Sequence, residues 1–72
     1  MKCKIFNTLI VKDYIKSNKL SIKEFCKRCK ISNYAYYQFM NNDLKISVPK
    51  VFRIAYTLNI EVKDLFKNET NN

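Results

Sequence analysis

Only three residues, Lys30-Ile31-Ser32, separate two short amphipathic segments of this chain, and that spacing restricts its fold more than any other feature. The first segment, about Ile22 to Cys29, opens with Ser21 and Glu24, a capping box in which each side chain accepts an orphan backbone N–H. Phe25, Cys26 and Cys29 then fall on one face at helical spacing. The second, about Asn33 to Met40, has Ser32 as its cap and carries Tyr36 and Phe39 inward. Two helices joined by so short a turn cannot pack antiparallel and must cross steeply. Such a turn favours glycine at the position of Lys30, yet the chain contains none, so Lys30 is expected to accept a positive φ at some cost.

The rest of the chain arranges further helices around this pair. Residues 1–6 read as a loose or extended lead-in. Asn7 or Thr8 opens a first helix to about Ser17, with Val11, Tyr14 and Ile15 inward, Ile10 at the edge, and Asn18-Lys19 ending it. Leu20 is expected to plug into the core. Asn41-Asn42-Asp43 forms a turn cluster, and Ser47 and Pro49 open a fourth helix with an apolar face of Val48, Val51, Phe52, Ala55 and Leu58, flanked by Ile54. Asn59 ends that helix, and a short fifth one spans about Val62 to Phe66. The whole reads as one all-α, five-helix domain over residues 1–72, its core at about 7–67 and residues 68–72 loose. With 47% hydrophobic residues, five Tyr and five Phe, the chain can fill a core.

Charge narrows the partners. The net charge is +8, and between Tyr14 and Ile60 nine basic residues face only Glu24 and Asp43, whereas the tail from Glu61 has three acids against Lys63 and Lys67. A basic middle suits a polyanion, although a lysine-rich composition alone would produce part of it. Three cysteines, an odd number, fit a reducing compartment better than a disulfide scaffold, and no bilayer-length apolar run or cleavage site is visible, so the protein is expected to be cytoplasmic. Cys26 and Cys29 form a C-x-x-C, but a structural zinc needs four ligands and there is no His, so both thiols are expected in the core and no metal or cofactor is assigned. Without His, paired carboxylates at helical spacing or a glycine loop, no catalytic constellation exists, and an enzyme is not expected.

LSIKEFC, KISNYAYYQFMNN and ISVPKVFRIAYTLNIEVKDLF, in that order and without a gap over residues 11–66, resemble the lambda-repressor-like (Cro/C1-type, XRE) helix-turn-helix family. The resemblance implies a transcriptional regulator of the repressor type, reading double-stranded DNA through the major groove with the third helix. It also implies a homodimer on an inverted-repeat operator. Asn33, Tyr34, Tyr37 and Gln38 would face bases, Asn and Gln suiting adenine. Lys23, Ser32, Lys45, Ser47 and Lys50 would meet phosphates, with Lys19, Lys27, Arg28 and Lys30 adding to the field. Tyr36 is expected to be buried, and either outward tyrosine could instead pack on its own helix. Four positions depart from the family pattern: Ile22 replaces a common Gln contact, Lys30 replaces the turn glycine, and Asn42 and Asn59 stand where glycines usually end helices.

A competing expectation is a protein-interaction module or antitoxin-like partner, with Tyr56 and Met40 as exposed apolar surface. The few residues after Ile60 leave little to cover a toxin. Membrane binding is not expected, because the apolar helix faces are needed for the core. No small-molecule ligand is evident.

Overall fold

Each α-helix described in this glycine-free chain ends at a residue forced into the left-handed region, and those ends organise the fold. A computed structural model describes the backbone of residues 3–69 and the side chains of residues 5–66. Strand β1 (Cys3–Phe6) leads into α1 (Thr8–Ser17), α2 (Ile22–Cys29), α3 (Asn33–Met40) and α4 (Val48–Leu58); one 3-10 turn (Val62–Leu65) then enters strand β2 (Phe66–Glu69). The protein is therefore mostly helical. Among the described residues no helix is long and apolar enough to cross a membrane.

Lys19, Lys30, Asn42 and Asn59 have φ of 53°, 58°, 58° and 60°. Each stands in the same hydrogen-bonded motif, the Schellman cap, which satisfies two carbonyls that the helix end would orphan. At Lys30 its N–H donates to the Lys27 carbonyl at 3.2 Å and the Ile31 N–H to the Cys26 carbonyl at 3.0 Å. The same pair of bonds recurs at Lys19 with Leu20, Asn42 with Asp43, and Asn59 with Ile60. Leu20, Ile31 and Ile60, the residues after three of these caps, pack against the core. The helix starts are equally defined at α2 and α3. Ser21 and Glu24 complete the capping box, with bonds of 2.8 and 3.1 Å. Ser32 Oγ accepts the Ala35 N–H at 3.1 Å. Of the Asn18-Lys19 pair expected to end α1, Lys19 takes the left-handed position, while Asn18, the residue type better suited to it, keeps φ −96° and donates from Nδ2 to the Tyr14 carbonyl.

Other expectations are corrected at the chain ends. Of the loose or extended lead-in, residues 3–6 take the extended form, and residues 68–69 are not loose, because β1 and β2 pair antiparallel with Phe6 opposite Phe66 and Cys3 opposite Glu69. Phe6 is buried, stacked on Phe39 at 4.5 Å and tilted against Phe66 at 5.2 Å. Its N–H donates to Asn42 Oδ1 at 2.8 Å, and the Asn7 N–H donates to the Leu65 carbonyl at 2.7 Å. Residues 1–2 and 70–72, also expected to be loose, lie outside the described residues. The fifth helix shrinks to the 3-10 turn, because Phe66 must be extended to pair with Phe6 and only Val62–Leu65 remain to curl. An all-α architecture is thus corrected to four α-helices closed by a two-stranded terminal ribbon.

The core draws on every element, and among the described residues no polar or charged one is buried. Phe25 is the hinge of its aromatic part, meeting Tyr14 at 5.8 Å and Tyr36 at 5.9 Å, both edge-on. Tyr36, Cys26 and Cys29 are buried as expected. The face of α4 is not. Val51, Ile54 and Ala55 are buried and Leu58 packs beside them, while Val48 and Phe52 are 62% and 54% exposed. At about 100° per residue, those four inward residues fill one arc of about 100°, and Phe52 falls about 60° beyond its edge. Met40, expected at the surface, also packs against the core.

Removing the Phe6 ring should destabilise the fold by about 3–5 kcal/mol, the usual cost of Phe→Ala in a packed core. Chemical denaturation of Phe6→Ala checks this, and an unchanged midpoint would show that the ribbon contributes nothing. The two kinds of cap should respond oppositely to glycine. Lys30→Gly relieves a strained φ and should stabilise by up to about 1 kcal/mol. Asn42→Gly keeps the φ but orphans the Phe6 N–H, and should destabilise by about 1 kcal/mol.

Candidate nucleic-acid interface

The sequence of α3 divides cleanly by the 3.6-residue period. Ala35, Tyr36 and Phe39 are buried, whereas Asn33, Tyr34 and Tyr37 are exposed and Gln38 is half-buried. These four outward residues stand at i, i+1, i+4 and i+5, which places them on one face. Tyr34 is the freest, at 70% exposure. Tyr37 leans its ring edge-on to Tyr36 at 5.1 Å, so it is partly supported by its own helix. Gln38 is oriented as well: Nε2 donates to Asp43 Oδ2 at 3.4 Å. That leaves one amide N–H and the amide oxygen free, the pair a carboxamide needs for adenine.

Asp43 was not singled out by sequence reasoning, yet it joins two site segments. Its other oxygen, Oδ1, accepts the Lys45 N–H at 3.0 Å, shaping the loop that carries Lys45. The signal was available in the Asn41-Asn42-Asp43 cluster, since Asp commonly bonds a backbone N–H two residues on. Asn42 likewise serves the structure beyond its turn, as the brace for β1.

The expected phosphate contacts have unequal standing. Lys23 and Lys45 are exposed, Lys50 is half-buried, and Ser32 has its Oγ engaged by the Ala35 N–H. Ser47 stands at the N-cap of α4 with extended backbone but makes no side-chain cap bond, so its hydroxyl is uncommitted. Among the described residues the one ion pair is Lys63–Glu61 at 3.7 Å, away from all of these. No carboxylate pairs with the basic groups of α1 to α4, and their field is open to an anion. At the start of α2 the situation differs. Glu24 is held below the usual carboxylate range, first by the Ser21 N–H and then by the Ser21 hydroxyl, with Arg28 and Lys27 adding to the effect. Its charge already complements the helix dipole beside Lys23 and the 36%-exposed Ile22.

Cys26 and Cys29 are free and buried, and burial pushes both thiols up; at Cys29 the Thr57 hydroxyl works in the opposite direction. They are core residues with suppressed thiolate character. Among the described residues no three His, Cys, Asp or Glu side chains gather as a metal site.

No family model, curated protein or solved structure matches this chain. What the α3 face can do therefore rests on its own chemistry.

The Glu24 bond has a defined pH sign. A carboxyl whose folded pKa lies below the usual 4.5 stabilises the fold above that value, and loses the contribution as pH falls through the depressed one. Thermal melts from pH 7 to pH 3 should therefore show a steeper acid loss for the native sequence than for Glu24→Gln. Identical acid limbs would remove the capping box from the pH dependence.

Proposed function

We propose that this protein is a sequence-specific binder of double-stranded DNA, a homodimeric transcriptional repressor of the lambda-repressor-like (Cro/C1-type, XRE) class. In this reading α2 and α3 form the helix-turn-helix, and α3 enters the major groove. The observation that carries the reading is the outward face of α3. Two carboxamides and two phenols, Asn33, Gln38, Tyr34 and Tyr37, share one solvent-facing stripe on a chain of net charge +8. Asn33 and Gln38 read adenine edges, while Tyr34 and Tyr37 touch thymine methyls or phosphates.

Lys23, Lys45, Ser47 and Lys50 meet the backbone on either side, with the Ser32-capped start of α3 offering backbone N–H groups to a phosphate. The uncommitted Ser47 hydroxyl and the Asp43-shaped loop under Lys45 support this role. One α3 of eight residues spans only a half-site, so two copies on an inverted repeat are needed for specificity. The chemistry calls for no cofactor.

Titrations against a preferred duplex and a random-sequence duplex test the assignment. Asn33→Ala and Gln38→Ala should weaken the preferred site roughly ten- to hundredfold and leave random DNA nearly unchanged. Equal loss on both duplexes would sink the base-reading role. Lys45→Ala should instead weaken both alike and reduce the salt slope by about 1. An unchanged slope would take Lys45 out of the contact set.

A further inference from the structure

A second surface lies along α4 and the end of α2, and its chemistry differs from that of α3. Along α4, Val48, Phe52 and Tyr56 follow one another at i, i+4 and i+8 and are 62%, 54% and 87% exposed. Eight residues at 1.5 Å rise make this an apolar ridge about 12 Å long on the outside of the helix. Beside it runs a groove of about 320 Å³ whose charged lining is entirely basic: Arg28, Lys30 and Arg53, with Phe52 and Tyr56 as its apolar wall. The groove is built rather than incidental. Arg53 Nη1 donates to the Lys30 carbonyl at 3.0 Å, while Thr57 Oγ1 donates to the Arg53 carbonyl at 2.9 Å within α4 and lies 3.4 Å from the Arg28 carbonyl. The Arg53 bond ties α4 to the end of α2, so little ordering remains to be done on binding.

We propose that this groove and ridge form a docking site for an acidic amphipathic helix of another protein. Aromatic and arginine side chains around a shallow pocket are the composition of interface anchors. An apolar ridge at four-residue spacing fits the apolar stripe of a second helix, whose flanking carboxylates would meet Arg28, Lys30 and Arg53. A symmetric pairing of two copies through this surface would set those same cations against one another, which disfavours a second copy as occupant. The inference stands on α4 and is independent of the reading of α3.

The test is selection from a phage-displayed random peptide library on the full chain, followed by anisotropy titration of the enriched peptides. Peptides pairing acidic residues with helically spaced apolar ones should emerge. Tyr56→Ala should weaken them at least tenfold, and Arg28→Gln should reduce both affinity and its salt dependence. Thermal melts verify that both variants, which alter exposed side chains, remain folded. The proposal is overturned if no acidic motif is enriched, or if the peptides bind Tyr56→Ala as tightly as the native chain. It is also overturned if sedimentation shows a dimer that Tyr56→Ala dissociates, which would give the surface to a second copy. Tighter, Tyr56-dependent binding of single-stranded oligothymidine would overturn it in favour of nucleic acid.

Discussion

Helix termination without glycine is the constraint on which this structure depends. A non-glycine residue at positive φ costs roughly 1–2 kcal/mol, less for Asn, whose short polar side chain tolerates the left-handed region. The chain meets that cost four times, at Lys19, Lys30, Asn42 and Asn59. Each time, the strain is offset by paired Schellman bonds, and three times by an apolar residue that the reversal drives into the core. Lys30 has the most demanding of these positions, because the same three residues must also cap α3 through Ser32.

The consequences reach both surfaces of the molecule. Because the turn at Lys30 holds its carbonyl outward, Arg53 can seize it and dock α4 on the end of α2. Because Asn42 turns the chain after α3 and offers Oδ1 to the Phe6 N–H, the terminal ribbon is tied to the same helix whose outer face carries Asn33, Tyr34, Tyr37 and Gln38. Phe39 lies under that helix and stacks on Phe6. The α3 helix is thus braced by β1, which β2 holds in place, and a domain of this size needs such contacts, since net stabilities are only about 0.05–0.15 kcal/mol per residue.

Much of this was legible in the residues, for local reasons. The bounds of α2 and α3 follow from Ser21, Glu24 and Ser32, whose side chains act on backbone groups three residues away. The left-handed Lys30, Asn42 and Asn59 follow from where the helical periods stop. What was not legible depends on partners distant in sequence. CKIF carries no period that distinguishes a free tail from a strand, and only pairing with Phe66, sixty residues on from Phe6, makes it one. The α4 stripe was ambiguous because Val48, Phe52 and Tyr56 form a second apolar row beside Val51, Ile54, Ala55 and Leu58. Packing decides between the rows, and pattern alone does not. Within the site, the exposure of Asn33, Tyr34 and Tyr37 could be read from the period of α3. Gln38's tether to Asp43 could not, since it depends on how the chain turns after Met40.

The proposed repressor reading and the α4 groove divide the molecule into a face of carboxamides and phenols and a face of arginines and aromatic rings. The first of these bears the central claim, and selection of bound duplexes from a random pool tests it most directly. The account predicts enrichment of one motif, an inverted repeat with half-sites about one helical turn apart, that Gln38→Ala relaxes at a single position in each half. No enrichment above random sequence, with binding that merely tracks salt, would contradict it.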